Sequence, residues 1–246
     1  TLNRLTKANP KHAAAWYLSG RIAERNNDLV EAAYAYPFLA HACLEPMNCT
    51  AEVKDGRAEV WVPTQGPEAQ RQAVARVLGV KPEDVTVHVT RSGGAFGRRA
   101  RMDFASEAAA IARRVNAPVK LVWSREDDVR GGYYRPSYVH RAEIGLDAKG
   151  NIVAWDHTIV GQSIMAGTMF EAFMVKNGVD ATTVEGMGVP YDVPLNLSVH
   201  SPKVNVPVLW WRSVGSTHTA FVMETLIDEA AHIAGADPVE PGRARQ

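Results

Sequence analysis

The chain has 246 residues, enough to bury a substantial core in one large domain or two small ones. Lys and Arg number 27 and Asp and Glu number 27, so the formal net charge is zero, which excludes a broadly basic nucleic-acid-binding protein. Its two cysteines, Cys43 and Cys49, are too few for a disulfide scaffold or a four-cysteine zinc site. No run of apolar residues is long enough to predict a membrane span.

An alanine-rich pattern predicts a helix over residues 1–33, with Asn9-Pro10 as a plausible start. The stretch from Asn9 to Arg21 resembles half of a tetratricopeptide helix pair. A single copy falls short of the repeats that a solenoid core needs, which favours a lone amphipathic helix. We therefore predict a helical segment over residues 1–28, unrelated to the rest, and a second domain over residues 29–246.

Short strands and helices alternate in the middle of the chain. A strand pair over 50–53 and 59–62 surrounds Asp55-Gly56, which is a strong hairpin signal. Further along, the pattern predicts helices over 68–78 and 103–115 and strands over 85–89 and 119–123. Strands that alternate with helices in this way are typical of an α/β fold.

The remainder of the chain has fewer clear signals. A second strand pair is predicted over 139–146 and 152–160, a strand over 195–199 and a final helix over 221–233. Residues 161–190 are rich in Gly and Met and receive no assignment. The acidic run Glu126-Asp127-Asp128 is expected to cap a turn in solvent.

A glycine-rich loop at residues 92–97 is the first candidate site. It lies between a predicted strand and a predicted helix, where exposed backbone N–H groups suit an anion. Arg91, Arg98, Arg99 and Arg101 crowd the same stretch, and arginine binds phosphate well. The spacing matches neither a P-loop nor a dinucleotide fingerprint. The alternative is a tight turn before a charged surface helix.

Two further segments carry candidate binding groups. Gln65 follows Pro63 at the end of a predicted strand, where α/β proteins often place ligand-binding groups. Arg212 follows two tryptophans in a loop that offers donors near the start of a helix. The alternatives are a solvent-exposed glutamine and a tryptophan pair in the core. The eight histidines show no metal-binding spacing.

Taken together, these segments resemble a known family. The motifs that carry the resemblance are Pro37-Phe38-Leu39-Ala40-His41-Ala42 with Glu45-Pro46-Met47-Asn48-Cys49-Thr50-Ala51, then Val60-Trp61-Val62-Pro63-Thr64-Gln65, Gly93-Gly94-Ala95-Phe96-Gly97-Arg98-Arg99, Trp123-Ser124-Arg125-Glu126-Asp127-Asp128, Tyr134-Arg135-Pro136 and Trp211-Arg212-Ser213-Val214-Gly215. In this order they strongly resemble the molybdopterin-binding large subunit of the xanthine dehydrogenase and aldehyde oxidase family, of the isoquinoline 1-oxidoreductase β-subunit type, over about residues 29–240.

The resemblance implies a fold and an activity. The fold would be the first molybdopterin-binding domain of a molybdenum hydroxylase, an α/β fold with mixed sheets. Such enzymes use a molybdenum-pyranopterin, here expected in its cytosine dinucleotide form, to insert oxygen from water into aldehydes or N-heteroaromatic compounds. Electrons then pass to [2Fe–2S] clusters on a small iron–sulfur partner subunit. No nucleic-acid partner and no membrane span are expected, and the compartment stays open between cytoplasm and bacterial periplasm.

The resemblance also assigns cofactor-binding residues. Gln65 matches the glutamine that bonds the apical oxo ligand, and Arg212 matches the arginine of a second cofactor-facing loop. The loop residues that would pack against the cofactor and lend it backbone donors are Gly93, Gly94, Ala95, Phe96 and Gly97. Gln65 and this loop should therefore meet in space, with the Phe96 ring covering the metal. No metal ligand is expected from the protein itself.

Departures from the family pattern limit the assignment. Ala100 stands where the purine-hydroxylating members carry a glutamate, and Val214 replaces their substrate-clamping aromatic residue. The general-base glutamate of the family would lie beyond Gln246, so we expect no catalytic residue in this chain and no turnover by the chain alone. The missing C-terminal half of the large subunit would then be a partner. Two alternatives stay open: a non-catalytic fragment or fusion with a helical protein-contact head, and a simple phosphate-binding module.

Overall fold

The computed structural model describes residues 29–187, 191 and 193–238, so the predicted head at 1–28 lies outside the described residues. In chain order the strands are β1 Leu29–Tyr36, β2 Leu39–Ala40, β3 Asn48–Lys54, β4 Arg57–Val62, β5 Val85–Val89, β6 Val119–Val122, β7 Tyr134–Arg135, β8 Tyr138–Leu146, β9 Ile152–Gly161, β10 Val175–Lys176, β11 Val179–Asp180 and β12 Leu195–His200. The helices are α1 Pro67–Leu78, α2 Asp103–Val115, α3 Arg125–Arg130, α4 Glu171–Met174 and α5 Ser216–Ala234. Within the described ranges, none of these helices has the length and apolar character of a bilayer-spanning segment.

The described residues group into two compact units. The first unit contains residues 29–39, 136–208 and 213–238, and the second contains 40–135 and 209–212. The predicted division between a helical head and a single domain over 29–246 stays a prediction.

The second unit is built on a four-stranded sheet with the order β5-β4-β3-β6. Strands β4 and β5 run parallel, joined through α1, as the alternation of strand and helix predicts. Strand β3 pairs antiparallel with both β4 and β6, so β5 and β6 form opposite edges. The sheet is therefore mixed, which confirms the predicted fold class.

Helices α1 and α2 cover one face of this sheet. Every second residue of β4 is buried, namely Ala58, Val60 and Val62, as expected for a strand with one face in the core. On α2 the core positions are mostly alanine, and small side chains let the helix approach the strands closely. Helix α1 ends at Gly79, whose φ of +66° gives the left-handed cap that glycine adopts without strain.

The first unit is built on a sheet with the order β1-β8-β9-β12, and α5 shares its core. Strand β8 pairs antiparallel with β1 and β9, whereas β12 runs parallel to β9. The predicted helix over residues 29–33 is wrong, because these residues belong to β1. Val30, Ala32 and Tyr34 are buried in alternation, and pairing with β8 outweighs the helix propensity of the alanines.

Two smaller expectations also need correction. Helix α5 begins at Ser216, five positions before the predicted start at Phe221. The acidic run at 126–128 forms the first turn of α3, where Asp127 and Ser124 make a reciprocal capping box. Asp128 is buried and pairs with Arg125 at 2.7 Å, so it is not a solvent cap.

Candidate functional site

The parallel strands β4 and β5 end side by side and direct two loops to one edge of the sheet. Val62 is paired with Val89, and the Thr90 backbone N–H donates to the Val62 carbonyl at 3.2 Å. The segments that follow, 63–66 and 90–97, therefore leave the sheet at the same edge. Ligand groups in open α/β sheets are found at this kind of edge.

The Gln65 side chain meets the glycine loop, as expected. Its Oε1 accepts a hydrogen bond from the Gly97 backbone N–H at 3.1 Å, although the two residues are 32 positions apart. Its own backbone N–H donates to the Arg99 carbonyl at 3.1 Å. Because a backbone N–H can only donate, the amide oxygen must face Gly97. Gln65 Nε2 has no acceptor among the described residues, so its donors stay available to a ligand.

The loop has left-handed backbone positions that its glycines make possible. Gly94 and Gly97 have φ values of +101° and +100°, and Phe96 has +53°. A Cβ on Gly97 would lie 2.6 Å from the Trp210 carbonyl oxygen, so only glycine fits there. Within the described part of the chain, the backbone N–H groups of Gly94, Ala95 and Phe96 have no acceptor.

Arg212 approaches the loop from the far end of the chain. Its backbone N–H donates to the Phe96 carbonyl at 3.0 Å, and its guanidinium carbon lies 5.5 Å from the centre of the Phe96 ring. The Phe96 ring stacks on Trp211, with centroids 6.4 Å apart. Phe96 is 36% exposed and is therefore not buried under α2. Trp211 Nε1 is buried and has no hydrogen-bond partner among the described residues.

His41 anchors the segment that carries Arg212. His41 Nε2 lies 3.0 Å from the Trp210 carbonyl oxygen, and Nδ1 lies 3.1 Å from the Tyr133 carbonyl oxygen. Burial lowers the pKa of His41. A neutral imidazole carries one N–H, so it donates to one of these carbonyls at a time.

The expected cluster of four anion-binding arginines is wrong for two of its members. Arg98 is buried and binds both carboxylate oxygens of Asp103, at 3.0 and 2.7 Å. Arg99 is also buried and pairs with Glu45 at 2.9 Å. Their charges are matched inside the protein, which disfavours a simple phosphate-binding module. Arg101 donates to the Tyr133 hydroxyl at 2.9 Å, and Arg91 is exposed.

Sequence reasoning missed the roles of His41 and Glu45. Both residues lie in the first motif of the family resemblance, and that position was the one feature of the sequence that could have indicated a role for them. Their partners lie about 50 to 170 positions away, at residues 93, 99 and 210, and no local pattern reveals them. Among the described residues, no group of three or more His, Cys, Asp or Glu side chains is arranged to hold a metal ion.

Comparison with known proteins places this chain in a family. A family model for the molybdopterin cofactor-binding domain matches residues 9–243, beginning within the segment that the sequence pattern assigns to a separate head. The beta subunit of isoquinoline 1-oxidoreductase from Brevundimonas diminuta is 34% identical over 202 residues, which cover 81% of this chain and 26% of that protein.

A second relative and a solved structure agree with this match. One subunit of the nicotinate dehydrogenase of Pseudomonas putida is 27% identical over 230 residues, covering 91% of this chain and 19% of its own length. The crystal structure of quinoline 2-oxidoreductase from Pseudomonas putida 86 has a similar fold, with a TM-score of 0.73 and 22% identity over 94% of this chain and 29% of its own. The chain therefore spans 19–29% of the length of these proteins. Because the family model matches nearly the whole sequence, the chain belongs to the molybdopterin cofactor-binding domain family.

Proposed function

We propose that this chain is a cofactor-binding part of a molybdenum hydroxylase that oxidises aldehydes or N-heteroaromatic compounds with oxygen from water. The observation that carries the proposal is the convergence of Gln65, the 93–97 loop and Arg212 in one unit. The names of the relatives, isoquinoline and nicotinate oxidising enzymes, support the substrate class.

The residues present fit a pterin cofactor, because they offer donors without internal acceptors. The two N–H groups of Gln65 Nε2 and the backbone N–H groups of Gly94, Ala95 and Phe96 are available. Trp211 Nε1 is a buried donor that has no partner in the part of the chain that the structure describes. A pterin has carbonyl and ring-nitrogen acceptors and carries anionic groups, so it complements such a set.

Each residue then has a separate task. Gly97 holds Gln65 Oε1, which sets the orientation of the amide, and Gln65 Nε2 would then donate toward the molybdenum centre. The loop N–H groups would bind the pterin, the Phe96 ring would cover the metal, and the Arg212 guanidinium would offset negative charge. The bound cofactor supplies the two-electron oxidation of a C–H bond. We assign no general base and no metal ligand to the chain.

Finer features of the proposal come from the family resemblance. The cofactor would be the cytosine dinucleotide form, and the electrons would leave through [2Fe–2S] clusters on a small iron–sulfur subunit. The remainder of a large subunit would complete the substrate site. The helical segment at 1–28 would be a separate element.

Metal analysis tests the proposal. The chain is produced in a host that makes the molybdenum cofactor, alone and together with the C-terminal part of a relative's large subunit. Molybdenum and released pterin are then measured per chain. We expect both to co-purify in at least one of these preparations. Absence of both from the two preparations contradicts the proposal and supports the non-catalytic alternative.

Two matched substitutions localise the binding. Gln65→Glu keeps an acceptor for Gly97 but removes both donors and adds a negative charge, so we expect molybdenum content to fall by about tenfold or more. Gln72→Glu makes the same change at an exposed position on α1 and should leave the content unchanged. Equal molybdenum in both variants would mean that Gln65 does not face the cofactor.

A further inference from the structure

We propose that Glu45 and Arg99 form a positioning pair that sets the shape of the 93–97 loop and aims its free N–H groups at the ligand. We call these two residues the loop clamp. The proposal deepens the proposed function and rests on it in one respect only, namely that the ligand is the molybdenum cofactor.

Glu45 engages both backbone groups of Gly93. Its backbone N–H donates to the Gly93 carbonyl at 3.1 Å, and its Oε2 accepts from the Gly93 N–H at 2.8 Å. A Cβ on Gly93 would lie 2.5 Å from the Glu45 Cβ, so a side chain there would force the two segments apart. Glu45, which lies 48 positions earlier in the chain, therefore fixes the position of the first loop residue.

Arg99 binds the next peptide of the loop. Its Nε donates to the Gly94 carbonyl at 2.7 Å, and its terminal nitrogen donates to the carbonyl and to Oε2 of Glu45, at 2.7 and 2.9 Å. The Arg99 side chain is fully buried, whereas the Glu45 side chain is 36% exposed. The planar guanidinium fork can bind a loop carbonyl and a carboxylate at once in a fixed geometry.

Glu45 is held in its ionised form. Burial raises the pKa of its carboxyl, but hydrogen bonds from Gly93 and Asn48 and the charge of Arg99 outweigh burial and lower it overall. The clamp therefore keeps a complete charge pair at neutral pH, and the buried guanidinium stays compensated.

The geometry of the peptide unit explains why this grip aims the donors. In a trans peptide the carbonyl and the following N–H point in opposite directions. Glu45 holds the Gly93 carbonyl, so the Gly94 N–H points away from Glu45. Arg99 holds the Gly94 carbonyl, so the Ala95 N–H points away from Arg99.

The next peptide of the loop is held by other groups. The Ala95 carbonyl accepts from Arg98 N at 2.8 Å and from Cys43 Sγ at 3.4 Å, which directs the Phe96 N–H outward in the same way.

The test reads the far end of the loop in the cofactor-free full chain. The Gly97 N–H, which donates to Gln65, is followed by amide exchange and by its NMR resonance in Glu45→Ala. A clamp that shapes the whole loop predicts that Gly97 exchange accelerates by about tenfold or more, because the loop opens as a unit. If the Glu45 side chain only neutralises the charge of Arg99, the Gly97 resonance and the Gly97 exchange rate stay unchanged in Glu45→Ala. That result would overturn the inference.

Asp103→Asn is the matched control. It removes the carboxylate partner of Arg98, an equally buried arginine, without touching residues 93–97. We expect a comparable loss of stability but no change at Gly97. An equal response of Gly97 in both variants would also overturn the inference. If Glu45→Ala does not fold, Arg99→Lys serves instead, because it keeps the charge but loses the fork.

Molybdenum content separates this inference from the proposed function. If Gly97 responds to Glu45→Ala and molybdenum content falls, both hold. If Gly97 responds while molybdenum content stays at the wild-type level, the clamp stands and the cofactor role of the loop fails.

Discussion

The glycine loop of the second unit and a histidine cluster in the first unit both involve buried polar side chains. They differ in whether these side chains keep a charge when they are removed from water. At the loop, the buried Arg98 and Arg99 keep their charges, and each is paired with a carboxylate. In the first unit, the fully buried His140, His157 and His218 form a hydrogen-bonded chain, and burial keeps His140 and His157 neutral.

The histidine chain has a fixed direction. Trp155 Nε1, which can only donate, lies 3.3 Å from His157 Nδ1, so His157 carries its proton on Nε2. That nitrogen donates to His140 Nδ1 at 2.9 Å, and His140 Nε2 donates to His218 Nδ1 at 2.8 Å. Burial lowers the pKa of His140 well below its usual value and that of His157 to about 4.

The difference follows from what each site must hold. A guanidinium has five donors and can serve several carbonyls together, so its desolvation is offset at the loop. A neutral imidazole has one donor and one acceptor, which is sufficient to link β8, β9 and α5 in a line. The loop therefore depends on charge at neutral pH, whereas the histidine chain depends on its absence.

Removing the charge at the loop should have the largest effect. Arg99→Met removes the donor to the Glu45 carbonyl, the cation that pairs with the Glu45 carboxylate and one of the two donors to the Gly94 carbonyl, which keeps Ser92 Oγ, and we expect the free energy of unfolding to fall by about 3–5 kcal/mol. Arg113→Met removes an exposed arginine that also donates to a backbone carbonyl, and should cost less than about 1 kcal/mol. Urea unfolding measures both, and equal losses would contradict the account.

Adding charge to the histidine chain should have the next largest effect. The folded-state pKa of His157 is lowered from 6.5 to about 4, so its contribution to stability is complete above pH 6.5 and is lost as the pH falls toward 4. Each pH unit removes about 1.4 kcal/mol, roughly 3 kcal/mol in all. His157→Gln keeps a donor and an acceptor without titrating, so its stability deficit should shrink as the pH falls. A constant deficit from pH 7 to pH 4 would rule out the neutral chain.

Removing the residue that directs the chain should have the smallest effect. Trp155→Phe deletes the donor to His157 Nδ1 and leaves a cavity at a fully buried position, and we expect a loss of about 2 kcal/mol from the two effects together. The ¹⁵N resonances of His157 should then report a mixture of tautomers. Trp61→Phe, at a partly exposed tryptophan without an indole hydrogen bond among the described residues, is the control. An unchanged His157 spectrum in Trp155→Phe would show that the indole does not set the direction.

Sequence patterns predicted the strands and helices whose bounds are set by residues close together in the chain. The hairpin of β3 and β4, the strand β5 and the helices α1 and α2 appear within two residues of their expected bounds, because alternation and glycine caps define them. The meeting of Gln65 with the loop was expected from the family resemblance, and the paired ends of the parallel strands β4 and β5 explain it. The strand β1 was missed, since its pairing with β8 joins residues about a hundred positions apart. The partners of Arg98 and Arg99 were missed because buried ion pairs leave no periodic signal.

The most direct test of the central claim, that Gln65 and the 93–97 loop hold the molybdenum cofactor, is the position of the metal. Crystals of the cofactor-loaded protein would be measured at the molybdenum absorption edge to give an anomalous difference map. We expect a single peak beside Gln65 Nε2, with the pterin density against the N–H groups of Gly94, Ala95 and Phe96. A peak elsewhere, with Gln65 Nε2 and this loop facing only solvent, would contradict it.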